Sequence, residues 1–322
     1  MKLHKNRAGL SKAIPVGLAL LVIAYLIGVV SYSRNLWPIE LLRQIKDAGE
    51  ASASPKTGSL SQVDSLRRLM YYPGKKQVEC PIQAKDTGVL LILGQSNASN
   101  MGQKKFTTQY PNHVVNYNYF DGRCYAASSP LLGATDERGE YITPLADQLI
   151  AKGTYRNIVI IAAAVGGSPI SRWQRDGDLN ESLIALIKDV HTKFQITDVI
   201  WHQGETDAMH PYYTTTKIYV SSFHSLLGTL TQLKVRAPIF VFISTRTCHA
   251  GVDWTEANPV AIGQRMLIDN QRIFLGVDTD KLVELKDRYD SCHFNEIGQT
   301  KTAEALANSI SAAKNHIIFQ AR

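Results

Sequence analysis

From residue 89 onward, short apolar runs alternate with stretches of helical spacing, and several runs stop at glycine or small polar residues. The run 90–93 is apolar at every position, as expected of a parallel-sheet strand covered on both faces. Further strands are predicted over 113–120, 157–164, 197–202 and 238–244, and helices over 144–152, 183–194, 218–233 and 295–315. Alternating strands and helices predict an α/β fold with a doubly wound parallel sheet. Three strand ends carry unusual residues: Gly94-Gln-Ser-Asn97, Gly166-Gly-Ser-Pro and Trp201-His-Gln-Gly-Glu205. Ligands of open α/β sheets bind beyond the carboxyl ends of the strands, so these three places are the first candidates for chemistry.

The amino-terminal pattern differs. Residues 13–32 contain no charge and read as a transmembrane helix, since twenty helical residues rise about 30 Å. Lys2, Lys5, Arg7 and Lys12 precede this segment, whereas Arg34 alone follows it closely. The positive-inside rule therefore places 1–12 in the cytoplasm as a basic tail and sends the remainder outward, to the periplasmic or extracellular side. A cleaved signal peptide is the alternative, although its apolar region is typically shorter, about 7–15 residues. Residues 33–85 read as a linker or stalk because 51–61 is rich in Ala, Ser, Pro and Gly; short helices are expected near 38–48 and 61–70. The catalytic-size domain is expected over 86–322.

Composition changes this picture little. The hydrophobic share of 44% and charged share of 20% are those of an ordinary globular enzyme. Removing the four basic tail charges from the formal +7 leaves +3, with no basic stripe of interleaved aromatics, which argues against a nucleic-acid partner. Cys80, Cys124, Cys248 and Cys292 all follow the proposed anchor, where disulfides persist. Three pairings are open; Cys80 with Cys124 and Cys248 with Cys292 are expected, against an alternative of free buried thiols. The second pair would staple the loop that carries His293.

Ser96 is the candidate nucleophile, and it requires a base, an orienter and oxyanion donors. Asp290-Ser-Cys-His293 stands just before the last predicted helix, with a spacing that allows both side chains to project from one loop. His293 would take the Ser96 proton while Asp290 fixes the imidazole tautomer. Candidate oxyanion donors are the Ser96 N–H, the Gly166 N–H and the Gln203 side-chain amide. Each has a plainer reading, a turn for Gly166-Gly167 and a loop contact for Gln203. The chain has no Gly-x-Ser-x-Gly elbow, unlike the usual α/β-hydrolases.

Gly94-Gln-Ser-Asn97, Gly166-Gly-Ser-Pro-Ile-Ser-Arg-Trp173, Trp201-His-Gln-Gly-Glu205 and Asp290-Ser-Cys-His293, in this order, resemble the four blocks of the SGNH hydrolase superfamily. More specifically, they resemble its sialate O-acetylesterase and acetylxylan-esterase-like branch. The resemblance implies a flavodoxin-like three-layer fold and a serine esterase acting on O-acetylated carbohydrate, with neither metal nor cofactor. It implies Ser96, His293 and Asp290 as the triad and Ser96, Gly166 and Gln203 as the oxyanion hole. Either glycine of the pair fits the donor role, the Gly-x-Ser spacing favouring Gly166. Asn97, Gly167 and Glu205 take supporting roles, Glu205 organising the loop near Asn97. An envelope polysaccharide acetyltransferase would use the same triad, and a non-catalytic glycan-binding module would have lost it. Arg172 or Arg246 is a candidate clamp for an acidic sugar. His202, His210, Trp201 and Trp254 are expected to be structural.

Overall fold

The computed structural model describes residues 60–209, 211–246 and 256–320. In chain order the strands are β1 (Gln62–Val63), β2 (Leu69–Tyr71), β3 (Gln77–Val78), β4 (Thr87–Gly94), β5 (Val114–Asn118), β6 (Arg123–Ala126), β7 (Asn157–Ala162), β8 (Asp198–His202), β9 (Ile239–Ile243) and β10 (Ile273–Asp278). The helices are α1 (Ile142–Ala151), α2 (Asp178–Val190), α3 (Thr216–Gln232), α4 (Pro259–Leu267), the short α5 (Thr279–Leu282) and α6 (Glu296–Gln320).

The main sheet has eight strands in the order β10-β9-β8-β4-β7-β5-β6-β3. The six from β10 to β5 run parallel, while β6 and β3 add an antiparallel margin. Every residue of β4 is buried, as its unbroken apolar pattern predicts. Val89, Leu91 and Leu93 face a core shared with Leu183 and Ile187 of α2 and Phe223 and Leu226 of α3. Leu90 and Ile92 face the opposite core, with Leu145 of α1 and Leu306 and Ile310 of α6. The fold is therefore a mixed α/β arrangement of three layers around a mostly parallel sheet.

Strand β4 lies between β7 and β8: the chain passes from β4 to β5 and β7 on one side and then crosses to β8, β9 and β10 on the other. That reversal leaves a crevice beyond the carboxyl ends of β4 and β8, the position where such sheets bind ligands. Gly94 pairs with His202 across this junction. Its φ is +130°, and a Cβ there would lie 2.0 Å from the His202 carbonyl oxygen. Only glycine permits so close an approach.

The expected strands and long helices are present with small shifts at their ends; α2 begins five residues before the expected start, at Asp178 behind Gly177. Elements β3, β6, α4 and β10 were not anticipated, because two are very short, α4 follows a broken pattern and β10 is interrupted by Gly276. The helix expected over 61–70 is a correction: these residues form the antiparallel pair β1 and β2. Asp64 explains the change, because Oδ1 accepts from the N–H groups of Leu66 and Arg68, at 3.0 and 2.8 Å. Such side-chain bonds offer the backbone a turn in place of a helix. Residues Leu60–Arg322 form one compact unit.

Cys80 and Cys124 are disulfide-bonded, as expected, and fasten the chain just after β3 to β6. Cys292 is also disulfide-bonded; its expected partner, Cys248, lies outside the described residues. So do the proposed anchor 13–32, the expected helix at 38–48, His210 and Trp254. Among the described residues, no helix is long and apolar enough to cross a membrane.

Gly94→Ala tests the β4–β8 approach. The added methyl forces the strands apart in a conformation disfavoured for L-residues, so urea unfolding of the variant is expected to show a loss above about 3 kcal/mol. A stability equal to that of the parent would contradict the close packing.

Candidate active site

Beyond Gly94 the chain enters a single tight turn, Ser96–Ala98, whose three residues are buried. The N–H groups of Ala98 and Ser99 donate to the Gln95 carbonyl, at 2.9 and 3.0 Å, which fixes Ser96 at the turn's start. Ser96 and His293 both line one cleft of about 930 Å³, together with Gly166, Gly167 and Glu205. The cleft thus brings together Ser96 and His293, which lie 197 positions apart in sequence.

The histidine loop is built by Asp290. Its Oδ1 accepts from the N–H groups of Cys292 and His293, at 3.0 and 2.7 Å, while Oδ2 lies 2.7 Å from His293 Nδ1. Ser291 adopts a left-handed φ of 68° at the crest of this turn. Burial raises the Asp290 carboxyl, but the His293 ring and the loop N–H groups outweigh it and hold the pKa below the usual carboxylate value. Asp290 is therefore charged at neutral pH and favours the Nδ1–H tautomer, leaving Nε2 as the basic nitrogen. Nε2 lies 3.7 Å from Cys292 Sγ. Among the described residues no hydrogen bond joins Nε2 to Ser96 Oγ, a separation common in ligand-free hydrolases.

Asn97 connects the two halves. Its Nδ2 donates to Glu205 Oε1 at 3.0 Å and reaches the Cys292 carbonyl at 3.5 Å, and its Oδ1 accepts from the Phe294 N–H at 3.2 Å. The residue after the serine thus holds the backbone on either side of His293. Arg288 Nη1 donates to the same Cys292 carbonyl at 2.5 Å, with its guanidinium 5.0 Å from the Phe294 ring centroid. Glu205 is buried, which raises its carboxyl pKa; Asn97, the loop backbone and Ser244 oppose that rise. His202 stacks on Phe242 at 4.1 Å and contacts Tyr141 and Ser244. Burial, with Arg288 acting in the same direction, pushes its pKa well down, so it stays a neutral structural residue.

The remaining expected site residues are placed as follows. The Gly166 N–H donates to Thr135 Oγ1 at 2.8 Å. Gly167 has a φ of +65° and is exposed, and its N–H has no acceptor among the described residues. Gln203 is fully buried; its Nε2 donates to Asp207 Oδ2 at 2.5 Å, the Ser168 carbonyl at 3.2 Å and Gln95 Oε1 at 3.3 Å. It is not among the residues lining the cleft but holds Gln95, which is. Gln95 and Asp207 were not singled out from sequence, yet Gln95 Oε1 also accepts from Thr206 N–H, and Asp207 Oδ2 from Ile170 N–H. These buried side chains join the three strand-end blocks, and each stands within or beside a block.

Arg172 lines the cleft but is bound to Asp178 at 3.0 and 2.5 Å. Arg246 is not among the residues lining the cleft; its backbone N–H and those of its neighbourhood hold Asp280. Trp201 and Trp173 are buried in a mutual edge-to-face contact, a packing role. Among the described residues, no three His, Cys, Asp or Glu side chains are grouped to hold a metal ion.

A family model described as carbohydrate esterase, sialic acid-specific acetylesterase, matches residues 86–312. No curated protein matches. Among solved structures, a protein from Arabidopsis thaliana has 18% identity and a TM-score of 0.55, with 70% of this chain and 98% of that one covered. A carbohydrate acetylesterase from Xanthomonas citri has 16% identity and a TM-score of 0.45; the match covers 72% of this chain and 56% of that chain's length. Another from Sinorhizobium meliloti has 13% identity and a TM-score of 0.43, with 71% and 99% covered. The first of these likenesses shows a shared fold.

Asn97→Ala removes the bridge between Glu205 and the His293 loop without touching Ser96, His293 or Asp290. The expected result is a fall in kcat of about tenfold to a hundredfold with a small change in KM, as for loss of positioning. An unchanged kcat would show that the loop is held without Asn97.

Proposed function

Since the chain belongs to the sialic acid-specific acetylesterase family of carbohydrate esterases, and is thus a carbohydrate O-acetylesterase, we propose that it works through Ser96, His293 and Asp290 on an SGNH-type scaffold. The Ser96 oxygen attacks the acetyl carbonyl carbon, and its proton passes to His293 Nε2. Collapse of the tetrahedral intermediate breaks the bond between the acetyl carbon and the sugar oxygen, which takes the proton from His293. Water then attacks the acetyl-serine, gives a proton to His293 and releases acetate, and the proton returns to Ser96. Asp290 stabilises the imidazolium formed in each half of the cycle.

The observation that carries this reading is the charged Asp290 on His293 Nδ1, at 2.7 Å, in the cleft that also contains Ser96. For the oxyanion we propose the Ser96 N–H with a donor from Gly166-Gly167. Gly167 offers an unengaged N–H, whereas Gly166 would exchange Thr135 Oγ1 for the substrate oxygen. Gln203 would contribute its amide only by releasing Asp207, so its part in this arrangement is to brace Gln95 and Asp207. We place the enzyme outside the cytoplasm on an amino-terminal anchor. The Cys80–Cys124 disulfide and the uncharged segment 13–32 behind a basic tail support that placement.

Acetate release from an aryl acetate tests the assignment. Ser96→Ala is expected to reduce it to background, and Asp290→Asn to lower kcat by about a thousandfold or more through loss of the correct tautomer. Parental turnover in Ser96→Ala would refute the nucleophile.

A further inference from the structure

The cleft has a wall that comes from outside the residues matching the family. Ser61, Val63, Ser65, Leu66, Arg67 and Leu69 line it, whereas the family match begins at residue 86. This wall is fixed to the catalytic unit. The Leu69 N–H donates to the Ala134 carbonyl at 2.9 Å and the Gly133 N–H to the Leu69 carbonyl at 2.8 Å. Ser61 Oγ donates to Glu137, and Leu69 is fully buried.

Arg67 stands at the tip of the turn between β1 and β2. It is exposed, with a left-handed φ of 62°, and its N–H donates to the Asp64 carbonyl at 2.9 Å. The Asp64 carboxylate holds the turn from within: besides two N–H groups it accepts from Arg68 Nε and Nη2, at 2.9 and 2.6 Å. Asp64 is thereby committed to Arg68, and the neighbouring arginine is turned out towards the cleft. The Arg67 guanidinium makes no hydrogen bond or ion pair with any described residue. The other arginine lining the cleft, Arg172, is neutralised by Asp178. Of the acidic groups on the rim, Asp136 lies 4.0 Å from Arg138, and Glu137 accepts from Ser61. Arg67 is the cation at this cleft without a counter-charge among the described residues.

We propose that Arg67 is a specificity-determining residue that binds the carboxylate of an acidic, O-acetylated sugar while Ser96 takes the acetyl group. This rests on the esterase reading above and assigns to that site a recognition residue outside the family match. A guanidinium presents a planar fork of donors that matches a carboxylate. Its placement on an added wall lets the carboxylate and the acetyl ester be held at different sides of one cleft. The recognition duty foreseen for Arg172 or Arg246 passes to an arginine preceding the matched domain.

The test uses O-acetylated sialic acid and the same sugar with its carboxylate converted to the neutral carboxamide. For the parent chain, the ratio of KM for the carboxamide to KM for the acid is expected to exceed about ten, as for one charge-assisted hydrogen-bonded pair. In Arg67→Ala the ratio falls to near one, and Arg67→Lys retains part of it. Because each ratio is internal to one variant, a general loss of activity cancels. A variant too slow to assay is read by calorimetry with the deacetylated acid and its carboxamide. A parental ratio near one, or an undiminished ratio in Arg67→Ala, overturns the proposal. Ser96→Ala separates the two readings: it should release no acetate yet still prefer the deacetylated acid over its carboxamide by calorimetry. Acetate release by that variant defeats the nucleophile assignment, whereas loss of the preference in Arg67→Ala still supports the role of Arg67.

Discussion

A serine on one loop and a histidine on another, far apart in sequence, can act together only if something fixes the distance between the loops. Here that duty falls on a buried amide. Asn97 spends Nδ2 on Glu205 and the Cys292 carbonyl, and Oδ1 on the Phe294 N–H. Burying a carboxylate such as Glu205 is costly, and the rise in its pKa reflects that cost. The cost is offset by partners from four different parts of the chain, including Ser244 and the Arg288 charge. A network of this kind specifies one arrangement, because a half-made version leaves buried polar groups unpaired.

The network in turn depends on the sheet. Gly94 allows β4 to approach the His202 carbonyl so closely that the turn carrying Ser96 and the segment carrying Glu205 emerge side by side. His202 reinforces the junction from the apolar side, stacked on Phe242 and kept neutral by burial. The reversal of winding beside β4 opens the crevice, and the polar network furnishes its floor. Packing decides where the site is; hydrogen bonding decides which atoms face it.

The parts legible in the sequence were those with strong local patterns. The unbroken apolar run of β4, the breaks at Gly94 and Gly166 and the Asp290-x-x-His293 spacing each encode geometry within a few residues. Less legible were features set by tertiary contact. Gln203 carries a motif position, yet nothing local reveals that Asp207, four residues on, would occupy its amide. The Thr135 hydroxyl under Gly166 comes from a loop with no motif. The helix expected over 61–70 gives way to β1 and β2 because the Asp64 carboxylate accepts from the backbone and side chain of Arg68, four residues on. Strand β10, broken by Gly276, forms against β9 and not by its own pattern.

In the resting site the Gly166 N–H and the Gln203 amide are held in internal bonds, and this bears on the oxyanion role proposed for them. A donor that must leave Thr135 before it can serve an oxyanion stabilises charge only by the difference between the two bonds. A neutral hydroxyl acceptor is replaced by an anionic one, and bonds to charged acceptors are roughly twice as strong as neutral ones. The exchange is therefore favourable in the transition state and unfavourable for a ground-state carbonyl, which offers little more than the hydroxyl it displaces. In the oxyanion role proposed for Gly166, Thr135 would keep its N–H satisfied between turnovers and give it up when negative charge develops, which is the selectivity that lowers a barrier. Gln203 differs in this respect, since its present partner, Asp207, is itself acidic, and no comparable gain accompanies its release.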